Sequence, residues 1–138
     1  MPQSLTTRAV KKRLSTAGGS DFLVILAASS DSTLKVGQVI PVKPVSLIGR
    51  FDDSGVVLAD ETVSKDHAMI EHRADGWYLS DHGSTNGTLL SGRVFKGEVL
   101  LKKKELLTFG QVETLWWQGA REDIEFQAEI ARHGIELL

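Results

Sequence analysis

The chain has 138 residues, 41% of them hydrophobic and 25% charged, with a net charge of −2 and no cysteine. That length and composition suit one domain with its own core, and the missing thiols exclude a disulfide framework, a thiolate zinc site and a cysteine nucleophile. The longest apolar run, Phe22 to Ala28, is seven residues, too short to span a bilayer and too far along for a signal peptide. A cytoplasmic protein with no membrane insertion is the expectation.

Charge is unevenly spread. Residues 1–20 hold Arg8, Lys11, Lys12 and Arg13 and no acid. Within them residues 4–15 read as a short amphipathic helix, with Leu5, Ala9, Val10 and Leu14 at near-helical spacing behind a Ser or Thr cap. Gly18-Gly19-Ser20 then marks a linker. A basic lead of this kind can touch nucleic acid or anionic lipid, but no nucleic-acid-reading motif accompanies it. No nucleic-acid partner is expected.

From Asp21 to Trp117 the texture is β. Strand-length runs begin at Phe22, Val39, Val45, Val56, Ala68, Trp77, Thr88, Glu98, Leu106 and Val112. Turn signals separate them, among them Asp52-Asp53-Ser54-Gly55, Ala74-Asp75-Gly76, Ser91-Gly92 and Gly110-Gln111. Strands at this spacing without helical spacers predict an all-β fold, an antiparallel β-sandwich of about ten to eleven short strands. Pro41 and Pro44 place the second strand at an edge. Residues 120–133 return to helical texture, with Ile124, Ala128 and Ala131 on one face and Gly134 as a stop. The expected organisation is a basic helix and linker over 1–20, the sandwich over 21–118 and a helical tail over 119–138, giving short helical extensions at both termini.

Enzyme chemistry finds little support. Ser84, His82 and Asp81 supply the residue types of a hydrolytic triad, but neighbours on one loop do not converge as nucleophile, base and orienter. His67 and His72 are five apart, so on a strand they face opposite sides and share no metal. No glycine-rich loop leads into a helix to cradle a nucleotide. The acid pairs Asp52-Asp53 and Asp60-Glu61 read as solvated loop acids, and Lys102–Lys104 as a solvated turn. No catalytic residue, metal or cofactor is expected.

Binding is better supplied. Arg50 offers a forked guanidinium, Ser64 a hydroxyl, Lys65 a point charge, and Asn86 an amide that both donates and accepts. The plainer readings are a surface arginine at Arg50 and turn-satisfying hydroxyls at Ser64 and Thr85. The order Gly49-Arg50, then Ser64-Lys65-Asp66-His67, then Gly83-Ser84-Thr85-Asn86-Gly87-Thr88, with strands between, resembles the forkhead-associated (FHA) domain over about residues 22–117.

The resemblance implies a β-sandwich that binds phosphothreonine peptides through loops at one end, without catalysis. It implies that Arg50 anchors peptide and phosphate, that Ser64, Lys65 and Thr85 contact or brace the phosphate, and that Asn86 bonds the peptide backbone. Gly49, His67 and Gly87 would support the loops, and Thr62 would shape selectivity downstream of the phosphothreonine. Two positions depart from the family pattern: Lys65 stands where arginine is usual, and Lys104-Glu105 replaces the usual Gly-Asp turn. The implied function is an adaptor in a Ser/Thr kinase pathway, with a phosphothreonine-containing protein as partner. The alternatives are a sandwich used for phosphate-independent contacts or oligomerisation, and self-regulation through phosphorylated Thr6 or Thr7 of the N-terminus.

Overall fold

The computed structural model describes residues 21–95 and 97–137. The expected N-terminal helix and Thr6 and Thr7 lie outside the described residues. Two sheets pack face to face. In chain order the strands are β1 (Asp21–Ala27), β2 (Val39–Pro41), β3 (Val45–Gly49), β4 (Val56–Val57), β5 (Ala68–Arg73) and β6 (Gly76–Asp81). They continue as β7 (Thr88–Leu90), β8 (Arg93–Val94), β9 (Glu98–Leu100), β10 (Lys104–Phe109) and β11 (Val112–Gln118), and one helix follows, α1 (Ile124–Arg132). The six-stranded sheet runs β2-β1-β11-β10-β7-β8 and the five-stranded sheet β4-β3-β5-β6-β9. The fold is the predicted sandwich, with β2 at an edge. One pairing is parallel, β3 with β4, over two residue pairs. The short β8 follows a two-residue turn at Ser91 (φ 50) and Gly92 (φ 81), the paired positive angles of the hairpin turn that suits sheet twist.

Period-two alternation fills the core between the sheets. Ile48, Ala68, Ile70, Trp77 and Leu79 from one sheet meet Leu23, Ile25, Leu107, Phe109 and Trp116 from the other. Strands β1 and β11 are buried on their outer face as well. Phe22, Val24, Leu115 and Trp117 form a second cluster there with Phe126 and Ile130 of α1. Phe126 meets Phe22 edge-on at 5.0 Å and Trp117 at 5.2 Å.

The helix therefore lies on the sandwich through a face other than the expected one. Ile124 is 85% exposed, and Ala128 and Ala131 are exposed too. Phe126 and Ile130, one turn apart, carry more apolar surface than an isoleucine and two alanines, and burial follows area rather than count. Asp123 sets the helix start by accepting from Glu125 N at 2.8 Å.

The lysine run that enters β10 also differs from a solvated turn. Lys103 reaches Asp123 (3.6 Å) and Glu125 (3.1 Å), Lys104 reaches Glu129 (2.9 Å), and the Lys103 ammonium lies 5.0 Å from the Trp117 ring centre. Exposed pairs of this kind contribute about 0–1 kcal/mol each, so the apolar contact holds the helix and the pairs fix its register. Beyond the helix, Gly37 (φ +91) leaves room for the Glu136 carbonyl at the β1–β2 loop.

Candidate functional site

Four connections meet at one end of the sandwich: the loop after β3, the loop between β4 and β5, the loop between β6 and β7, and the β10–β11 turn. The register puts them there. Ile48 pairs with Ala68, Ala68 with Asp81, and Thr88 with Phe109.

Gly49 ends β3 against the next loop. A Cβ there would collide with the Lys65 carbonyl and lie 2.5 Å from Ser54 Oγ, so close approach, not an unusual φ, requires glycine. Arg50 follows. Its backbone N–H donates to the Ser64 carbonyl at 3.2 Å and its guanidinium to the Glu61 carbonyl at 3.3 Å. The guanidinium carbon also lies 4.8 Å from the ring centre of Phe51, a side chain that is 46% exposed. These contacts orient the fork but give it no carboxylate.

His67 ties the loops from inside. It is fully buried; its Nδ1 accepts from Ser64 N at 3.0 Å and its Nε2–H donates to the Gly87 carbonyl at 2.9 Å. Burial pushes its pKa below the ordinary histidine value, against the opposing pull of the Gly87 bond and of Asp81. With an amide N–H donating to Nδ1 and a carbonyl facing Nε2, both neighbours fix the neutral Nε2–H tautomer, and neither nitrogen is left to act as a base. Gly87 takes φ +88, a left-handed conformation in which a side chain is strained. Its carbonyl also accepts from Gly110 N at 3.1 Å.

Ser64 Oγ accepts from Thr85 N at 3.0 Å, which leaves its own hydroxyl proton for an outside acceptor. Thr85 and Lys65 are exposed beside it, and Lys65 forms no ion pair among the described residues. Asn86 donates from Nδ2 to the Thr62 carbonyl at 2.8 Å. Only the nitrogen can face a carbonyl, so the amide orientation is settled and Oδ1 is available as an acceptor. All five expected ligand residues, Arg50, Ser64, Lys65, Thr85 and Asn86, lie on these adjoining loops. Thr62 is there too, but its hydroxyl is engaged, donating to Asp60 at 2.6 Å and accepting from Gln111 N at 2.9 Å.

Two aspartates hold the loops in shape, and the sequence reading missed both roles. Asp60 is no solvated loop acid: it is 2% exposed and accepts from Thr62 and Ser29. Burial alone would raise its pKa, but the bonds from Thr62 and Ser29 outweigh that and hold it at about 2. Asp81 accepts from Ser84 Oγ and Thr88 Oγ1, each at 2.6 Å, and from Gly83 N and Ser84 N. Burial opposes ionisation there as well, and the same hydroxyl and amide donors overcome it, leaving the carboxyl below its ordinary value. Ser84 Oγ in turn accepts from Gly87 N at 3.0 Å, so this serine is a loop brace. The local signals were an aspartate two residues before Thr62 and three before Ser84, the spacing of side-chain-capped turns.

Comparison with known proteins agrees with this geometry. The family model for the FHA domain matches residues 46–110, which contain all five expected ligand residues. FhaB of Mycobacterium tuberculosis, an FHA domain-containing protein, is 54% identical over 44 residues, 32% of this chain and 28% of that protein. The oxoglutarate dehydrogenase inhibitor of Corynebacterium jeikeium is 32% identical over 74 residues, 54% of this chain and 51% of that protein. The matched regions thus span about half or less of these relatives' length. Among solved structures, Mycobacterium tuberculosis EmbR in complex with a low-affinity phosphopeptide superposes with a TM-score of 0.65 at 21% identity, covering 84% of this chain and 30% of that one. The family-model match over residues 46–110 and the two-sheet fold identify this stretch of the chain as a forkhead-associated (FHA) domain.

Proposed function

We propose that this loop end binds a phosphothreonine-containing peptide and that the protein serves as an adaptor downstream of a Ser/Thr kinase, without catalysis. The observation that carries the reading is the pairing state of the two cations. Arg50 and Lys65 stand on adjoining loops beside the free proton of Ser64 Oγ, and neither pairs with a carboxylate among the described residues. A phosphomonoester brings about −1.5 to −2 charge and three acceptor oxygens. Arg50 and Lys65 would meet its charge, Ser64 and Thr85 its remaining oxygens, and Asn86 Oδ1 an N–H of the extended peptide. Four charge-assisted bonds at roughly 1.5–3 kcal/mol each are set against ordering and association costs, and a near-micromolar affinity, about −8 kcal/mol, is the expected outcome.

Relatives support the reading, since EmbR has been seen with a phosphopeptide. The braced Ser84 and neutral His67 supply no nucleophile–base pair. The test is calorimetry with matched phosphothreonine, phosphoserine and unmodified peptides on wild type and Arg50→Ala. Binding of the phosphothreonine peptide alone, lost in Arg50→Ala, is the expected result. Affinity that ignores the phosphate or survives the substitution overturns the proposal.

A further inference from the structure

The loop that carries Ser64 and Lys65 is fastened by a buried acid to which peptide binding assigns no part. Asp60 Oδ1 accepts from Thr62 N (2.9 Å) and Thr62 Oγ1 (2.6 Å), and Oδ2 accepts from Ser29 N (2.9 Å) and Ser29 Oγ (2.8 Å). Each oxygen thus has two donors, and the side chain is 2% exposed. Nothing remains with which it could touch a ligand.

Its contacts nonetheless lead to one. Thr62 is held on three sides: by Asp60, by Gln111 N on its hydroxyl, and by Gly110, where a Cβ would lie 2.7 Å from that hydroxyl and collide with the Thr62 carbonyl. That same carbonyl fixes Nδ2 of Asn86 at 2.8 Å. An unbroken series of contacts thus joins Ser29 at the end of β1, Asp60, Thr62 and the Asn86 amide. An amide that pairs with a peptide backbone must present donor and acceptor in one plane, and a tilt or shift of a fraction of an ångström weakens both bonds.

We infer that Asp60 is a positioning residue for Asn86: it clamps Thr62 to the end of β1 so that the Thr62 carbonyl sets the plane in which Asn86 meets a bound peptide. The inference rests on the reading of this loop end as a phosphopeptide site and assigns a role within it. An asparagine at position 60 keeps the shape but turns one oxygen into an amide that faces two donors. Asp60→Asn therefore loosens either the Thr62 side or the Ser29 side of the clamp. The carboxyl titrates near 2, so it stays ionised wherever the test is run.

The test has two readouts on the full chain. In the free protein, the Asn86 side-chain amide resonances are followed by nuclear magnetic resonance. In binding, calorimetry with the phosphothreonine peptide compares Asp60→Asn, Asn86→Ala and the double variant. Asp60→Asn should move the Asn86 amide resonances and weaken the peptide about tenfold or more. The double variant should be no weaker than Asn86→Ala alone, because both changes remove the same contact. Thr62→Val, which removes the hydroxyl, should lose more affinity than Thr62→Ser, which keeps it. Should Asp60→Asn fail to fold, the Thr62 pair decides by the same criteria.

Unmoved Asn86 resonances in folded Asp60→Asn, additive losses in the double variant, or equal affinity of Thr62→Ser and Thr62→Val overturn the inference. A wild type that binds no phosphopeptide, with Asn86 still responding to Asp60→Asn, upholds the positioning and removes the binding reading.

Discussion

The two ends of the sandwich treat an aspartate in opposite ways. At the loop end, Asp60 is saturated by four donors and its pKa is held at about 2. At the far end, where β1 begins and β11 leads into α1, burial lifts Asp21 to about 6, and neither the Gly119 N–H nor the nearby His72 charge offsets it. The buried Trp117 indole N–H nearby finds no acceptor among the described residues. The acid beside the proposed ligand has every oxygen satisfied, and the acid away from it does not have its burial offset. The far end is held instead by apolar area: Phe22, Trp117, Phe126 and Ile130.

That contrast can be broken by substitution. The largest expected effect is on stability at the helix. Phe126→Ala removes the aromatic that meets Phe22 and Trp117 and should cost about 3–5 kcal/mol in denaturant unfolding, with phosphopeptide affinity unchanged. A parallel loss of affinity would show that the two regions are coupled.

Next come the two aspartates, whose pH signatures have opposite sign. Asp60 is depressed in the folded state, so its contribution is full above pH ~4 and is lost as pH falls through about 2. The lost contribution is about 2 kcal/mol. Asp21 is raised, so stability is full below pH ~4 and declines as pH rises through about 6. Unfolding followed from pH 2 to 8 should show both limbs, with Asp21→Asn flattening the upper and Asp60→Asn reducing the lower, to which the depressed Asp81 also contributes. A single limb, or one unmoved by its variant, refutes the assignment.

A smaller effect is expected at Lys65. Lysine presents a point charge where an arginine would present a fork, so Lys65→Ala should weaken the phosphopeptide by about tenfold and Lys65→Arg should strengthen it severalfold by calorimetry. The smallest is at Lys104, whose exposed pair with Glu129 should be worth under about 1 kcal/mol in thermal unfolding of Lys104→Ala.

Much of this architecture was legible from sequence, for physical reasons that vary from place to place. Strands show themselves as short β-prone runs between turn signals, so Phe22–Leu26, Ala68–His72 and Val112–Trp117 were readable without their partners. Arg50, Ser64 and Asn86 were readable as candidates because three short motifs follow one another in the order the family resemblance rests on. What escaped depended on partners distant in the chain. Ser29, which completes the shell of Asp60, is 31 residues away, and the acids that Lys103 and Lys104 meet are 22 and 25 residues away. The helix face escaped for another reason: Ile124, Ala128 and Ala131 outnumber Phe126 and Ile130, but side-chain size decided which face was buried.

The lock between Gly110 and Thr62 has a mechanical consequence. Thr62 hangs from the five-stranded sheet and Gly110-Gln111 closes a hairpin of the six-stranded one. The two sheets are therefore pinned to each other at this rim. Shear between them would pull Thr62 from Gln111 and carry Asn86 out of line with Arg50. A ligand gripped by both would act as a rivet across the seam, and its binding energy would appear as resistance to sliding of the sheets.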